Sequence, residues 1–260
     1  MMRSLWTAAS GMAAQQMNID VTSNNLANVN TTGFKKSRAE FEDMIYQTLQ
    51  VAGTETLNGD RIPTGLEVGL GTRPVSSHKI FSQGDFERTD NDLDLAIEGD
   101  GFFQVLANDE IRYTRSGDFK LDEDGRIVTA NGYVLQPEFH VPQDTVNIVV
   151  DEQGHLACLD KEGNELASVD IPTYDFINPA GLKSMGRNLY AETEASGPAT
   201  EGVPGEDNFG SIAQGVLEGS NVELVDEMVN MIMGQRAYEI NSKSITTSDE
   251  MLQIANQMKR

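Results

Sequence analysis

The sequence predicts an α+β protein: long N- and C-terminal coiled-coil-like helices form one helical domain, and an antiparallel β domain of short strands is inserted between them. Three observations carry this reading. An apolar residue recurs every seven positions at the N-terminus, on Leu5, Met12, Ile19 and Leu26, and again at the C-terminus, on Leu224, Met231, Tyr238, Ile245 and Leu252. A seven-residue period keeps one seam of a helix facing a partner along its whole length. The middle of the chain lacks that beat and instead alternates, with Leu93, Leu95 and Ile97 set between Asp94, Ala96 and Glu98, the two-residue repeat of a strand.

The elements follow in order. Residues 1–33 form the first helical segment, with the helix itself expected over 4–29. It frays into the asparagine-rich stretch Asn24, Asn25, Asn28 and Asn30 and stops at Thr31-Thr32-Gly33, where glycine supplies a left-handed stop. Residues 34–74 connect, and within them about 44–66 reads as an extended polar arm. Residues 75–177 form the β-rich domain. Its runs are separated by Asn108-Asp109, Asp124-Gly125, Asn131-Gly132, Gln153-Gly154 and Gly163-Asn164, pairs that accept the positive φ of tight hairpin turns. Residues 178–219 carry Pro179, Gly181, Gly186, Gly197, Pro198, Gly202, Pro204 and Gly205 and read as a return linker. Residues 220–260 form the second helix, opened by a capping box in which Ser220 is the N-cap and Glu223 stands at the third helical position. Glu239 and Lys243 are spaced as an i,i+4 ion pair.

Charge and composition exclude several classes. The formal net charge is −22 over 260 residues. Residues 39–220 hold eleven basic and thirty-four acidic side chains, so the acidity lies between the helices. A nucleic-acid partner needs a basic face and is not expected. No stretch is apolar enough to insert in a membrane as a helix. Cys158 is the single cysteine, which leaves no internal disulfide framework. Met1-Met2-Arg3 followed by Leu5-Trp6-Thr7-Ala8-Ala9 has the outline of a weak signal peptide. The seven-residue beat runs through any cleavage point near Ala13 or Ala14, so the segment is read as retained structure.

No catalytic, cofactor-binding or metal site is expected. His78, His140 and His155 lie far apart, and no nucleophile elbow, zinc-helix or Walker motif occurs. Asp90, Asp92 and Asp94 resemble the start of a calcium loop, but the sixth position is Leu95 and the twelfth Gly101, where such a loop needs glycine and glutamate.

Methionine concentrates at the ends, with nine of eleven in the terminal segments, and it packs adaptably. Gly234, Asn241, Ser248 and Ala255 recur three residues after the large C-terminal seam residues. Such a small, partly polar face permits close helix approach. A helix pair with so thin a core is expected to be marginal alone and to order on assembly.

Asn25-Leu26-Ala27-Asn28, then Thr32-Gly33-Phe34-Lys35, together with Ser220-Asn221-Val222-Glu223-Leu224-Val225, Gln235-Arg236-Ala237-Tyr238-Glu239 and Asn241-Ser242-Lys243, resemble the paired terminal signatures of bacterial flagellar basal-body rod proteins. Gly71-Thr72-Arg73-Pro74, Phe81-Ser82-Gln83-Gly84 and the run from Asp94 to Phe103 are most similar to the distal rod members of that family. The resemblance implies a structural subunit that polymerises with itself into a rigid helical tube. The tube would transmit motor torque to the hook and let export substrates pass. The terminal segments would form its inner tube domain, with the β domain outside. The implied assembly interface comprises Leu5, Met12, Ile19, Leu26, Asn28, Gly33, Phe34, Leu224, Met231, Gln235, Arg236, Tyr238, Ile245 and Leu252. The arm, carrying Met44, Tyr46, Leu49, Leu57, Ile62 and Leu66, would stiffen the rod. Implied partners are proximal rod proteins, the hook protein, the peptidoglycan-ring and outer-membrane-ring bushing proteins and the flagellar type III export apparatus. The implied location is the rod spanning the periplasm, reached without a cleaved signal peptide. A sister axial subunit of proximal-rod or hook type is the alternative.

Overall fold

A computed structural model describes residues 2–53, 63–206 and 209–258. Between an N-terminal and a C-terminal helix lies a long run of antiparallel strands. The chain divides into two compact units: unit 1 is 1–26, 37–78 and 224–260, and unit 2 is 27–36 and 79–223.

Unit 1 holds α1 (Met2–Ala27) and α2 (Leu224–Gln257). They run antiparallel, as three contacts along their length show. Ser4 Oγ lies 3.4 Å from Ser248 Oγ. A Cβ on Gly11 would lie 2.9 Å from the Asn241 amide nitrogen, and one on Gly234 would lie 3.1 Å from Ile19. The seam therefore crosses on small residues, and α2 buries Glu227, Gly234 and Ser248. The large heptad residues flank that line. Leu5, Met12, Ile19, Leu26, Met231, Ile245 and Leu252 are half-buried, whereas Leu224 and Tyr238 are exposed.

The same unit holds two short sheets. β1 (Ser37–Asp43) and β4 (Thr72–Lys79) form one, and β2 (Tyr46–Gln50) and β3 (Leu66–Gly69) form the other. The Asn25 amide fixes the path out of α1. It donates to Ser37 O and accepts from Ser37 N, both at 2.9 Å, while only 2% exposed. The segment read as a polar arm is thus partly a β-hairpin, with Tyr46 opposite Gly69 and Thr48 opposite Glu67.

Unit 2 is built on a seven-stranded antiparallel sheet in the order 183–186, 189–191, 110–114, 103–107, 134–135, 127–129, 119–121. A three-stranded sheet (147–150, 155–159, 165–170) packs its Ile148, Val150, Leu156 and Cys158 into the same core as Phe103, Val105, Phe119 and Ile127. A second cluster is aromatic, of Phe102, Tyr113, Tyr174, Phe176 and Tyr190, with edge-to-face contacts such as Phe102–Phe176 at 5.6 Å. Burial, aided by the nearby Glu201, pushes the Tyr174 phenol up to about 12. The hairpin turns fall where the turn pairs stand. Asn108 and Asp109 have φ of 53° and 62°, and Gly125, Gly132, Gly154 and Gly163 all have φ between 75° and 83°.

Three expectations are corrected. The presumed return linker contains strands at 183–186, 189–191, 200–202, 211–214 and 216–218. They are only three or four residues long, so their glycines and prolines dominate the local pattern. The capping box does not form as read. α2 starts at Leu224, Ser220 Oγ accepts from Val222 N at 3.3 Å, and Asn221 is committed elsewhere. Glu239 pairs with Arg236 at 2.9 Å, one turn back, where Lys243 was expected.

Candidate assembly surfaces and a buried polar knot

The helix pair uses its small-residue line internally and leaves large apolar side chains outside. On α2, Val225 is 69% exposed and Ile240 66%, and Val229, Ile232, Met233, Met251 and Ile254 are about half exposed. On α1, Trp6 is 74% exposed. A helix stabilised only by its own chain would turn such residues inward, and contiguous exposed apolar surface marks an interaction face. Gln235 and Arg236, which the family resemblance implies are at the interface, are exposed on α2.

The β2–β3 hairpin is also unburied. Met44, Tyr46, Leu49 and Leu66 are exposed, Ile45 most of all at 80%. Leu57 and Ile62 lie outside the described residues.

The inner ends of the two terminal signatures, Gly33-Phe34-Lys35 and Ser220-Asn221, come together inside unit 2, in a buried knot that sequence reasoning missed. Gly33 adopts φ +66°, and a Cβ there would lie 2.6 Å from Ser116 N, so only glycine fits. Its N–H donates to Glu218 O at 2.8 Å. Phe34 is buried, with Lys79 Nζ 4.6 Å above its ring centre. Gly33 and Phe34 are therefore used within one chain. Asn28 is half-buried and accepts from Thr31 at 3.2 Å.

The centre of the knot is ionic. Lys35 Nζ donates to Glu218 Oε1 at 2.5 Å and to Ser82 O at 2.8 Å, and both charged side chains are 0% exposed. Arg115 Nη1 stands 3.6 Å from the other carboxylate oxygen. Its guanidinium also donates to Ile97 O and Gly99 O beneath the Phe102 ring. Burial pushes the Lys35 ammonium pKa down, against the opposing pull of Glu218, and burial does the same to Arg115. Asn221 ties in two neighbouring segments. Its Oδ1 accepts from Lys36 N at 2.7 Å, and its Nδ2 donates to Ile80 O and Ser82 O. No local sequence signal marks Lys35 as buried, because its counter-charge lies 183 residues away.

Asp90 and Asp94 of the acidic triplet hold protein partners. Thr89 and Asn91 donate to the Asp94 carboxylate at 2.6 and 2.9 Å, and Asp90 pairs with Arg88.

A helix pair with an unburied apolar face, joined in sequence to a separately cored β unit, is the make-up of a structural, assembly-forming protein. Comparison with known proteins identifies the kind. The family described as "Flagella basal body rod protein" matches residues 5–35, "Flagellar hook protein FlgE/F/G D1 domain" matches 96–158, and "Flagellar basal body rod FlgEFG protein C-terminal" matches 213–258. The chain is 50% identical over 266 residues to the flagellar basal-body rod protein FlgG of Borreliella burgdorferi, covering all of both chains. It is 48% identical over 260 residues to FlgG of Buchnera aphidicola subsp. Schizaphis graminum, covering 99% of this chain and all of the relative. It is 41% identical to FlgG of Bacillus subtilis over the full length of both. The chain belongs to the flagellar basal-body rod protein family, as a structural, non-enzymatic subunit of the distal-rod kind.

Proposed function

We propose that α1 and α2 form a coiled-coil-like inner tube domain in a helical homopolymer, with the β domain inserted between them and set outside it. Residues 1–33 and 220–260 supply the tube, 34–74 connect it, and 75–177 with the strands of 178–219 make the outer part. The polymer is the rigid distal rod. It carries motor torque to the hook, passes export substrates through its bore, and contacts proximal rod proteins, the hook protein and the ring bushings. The subunit reaches the periplasm through the type III export apparatus without losing a leader. The hairpin and the rest of 44–66 reach a neighbouring subunit and stiffen the tube. A sister axial role in the same flagellum is the alternative.

The observation that supports this reading is the apolar face of α2, which one chain leaves uncovered. Each such side chain is worth about 1.5–3 kcal/mol when fully buried, enough in sum to order a marginal helix pair on assembly. Ile240→Asp and Val229→Asp are the test. Both positions are already exposed, so the monomer should keep its thermal midpoint. Rods should be missing from basal bodies seen by electron microscopy. Normal rods from the double variant would sink the proposal.

A further inference from the structure

We propose that the ionic knot makes folding of unit 2 conditional on both of its chain ends, so that the β unit closes in one step only when 33–36 and 216–222 are both seated. Lys35 and Arg115 take their ion pairs from the same carboxylate, that of Glu218. Strand 216–218 is held by pairing with 86–88, and the neighbouring strand 211–214 by pairing with 95–98. If that end of the unit is missing, the buried Lys35 and Arg115 both lose the carboxylate with which they form their ion pairs. If the other end is missing, Glu218 loses Lys35 and the Gly33 N–H, and Asn221 loses Lys36. Removing one member of a buried ion pair is far more damaging than never having had the pair. Apolar side chains of similar volume would hold the same strands at least as well, but would tolerate a unit closed at one end. The charges therefore penalise half-folded forms.

The consequence for export rests on the reading above. A subunit with either end still in the export channel would remain open, whichever end leaves first. The folding claim itself stands apart from export and is tested apart from it.

The experiment is native-state amide exchange on the full-length wild-type chain. Knot amides of Gly33, Ile80, Gly84 and Asn221 are compared with core amides of Val105 and Tyr113. One-step closure predicts opening equilibria within about threefold of each other. Knot amides that open about 100-fold more readily than the core would overturn the proposal. The variant Lys35→Met/Arg115→Met/Glu218→Leu should show that separation, because its ends can leave at no ionic cost. Glu218→Gln covers the case in which the triple variant does not fold. It should raise opening of knot and core together, by about 100-fold. Opening of the knot alone in Glu218→Gln counts against the proposal. Because export enters none of these readings, a failed rod assignment would leave the result standing.

Discussion

Lys35→Met isolates what the buried ion pair contributes. Methionine keeps much of the lysine stem's volume, so the change removes charge and donors while leaving the cavity largely filled. Glu218 is then 0% exposed at its side chain, with Gly84 N at 3.0 Å on Oε1 and Arg115 at 3.6 Å from Oε2. Breaking one side of a buried pair costs about 3–5 kcal/mol. A unit of this size loses roughly 2–4 °C of thermal midpoint per kcal/mol, so the midpoint should fall by about 10 °C. The assay can separate the units. Tyr113, Tyr174 and Tyr190 sit in the aromatic cluster of unit 2, whereas Trp6, the single tryptophan, is on α1. The tyrosine near-ultraviolet dichroism of the full chain should show the drop. Lys35→Met/Arg115→Met/Glu218→Leu should recover a large part of it, because no member of the ionic cluster is then left buried without its partner. A fall of less than about 2 °C in the single variant would refute the reasoning.

Other outcomes follow from the same geometry. Gly33→Ala should abolish stable folding of unit 2, since it combines a left-handed φ with a backbone clash at Ser116; a soluble variant with native tyrosine dichroism would contradict this. The Asp170 carboxylate, 2.7 Å from His155 Nδ1, raises the His155 pKa. That support is complete below the ordinary histidine value and is lost as pH rises through the raised one. The midpoint difference between wild type and His155→Ala should therefore shrink on going from acid to alkaline pH, and a gap that grows with pH would be the wrong sign. Deleting 44–66 should leave the unit 2 midpoint unchanged and cost the polymer its straightness; straight rods from the deletion would remove the arm's assigned role.

Parts of the structure were legible because they obey a local period or a local backbone rule. The seven-residue beat located both helices, since Leu5 through Leu26 and Met231 through Leu252 flank their crossing. The seam itself lies on Gly11, Gly234 and Ser248, small residues whose importance depends on what stands opposite. Turn pairs were legible because Asn, Asp and Gly tolerate positive φ wherever they occur. The strands at 183–191 were not, because three or four residues beside glycines cannot display alternation. Lys35 reads as a surface charge in any window around it. Only the fold brings Glu218 to it.

The knot also constrains how such a sequence can change over time. Positions 35 and 218 lie near opposite ends of the chain, yet a neutral residue at one strands a charge at the other. They should therefore vary together across relatives, with Arg115 as the third member, and a lone change should be rare, since only joint replacement of 35, 115 and 218 by apolar residues leaves no buried charge unpaired. The two terminal signatures, which look like separate words in the sequence, are one unit of inheritance.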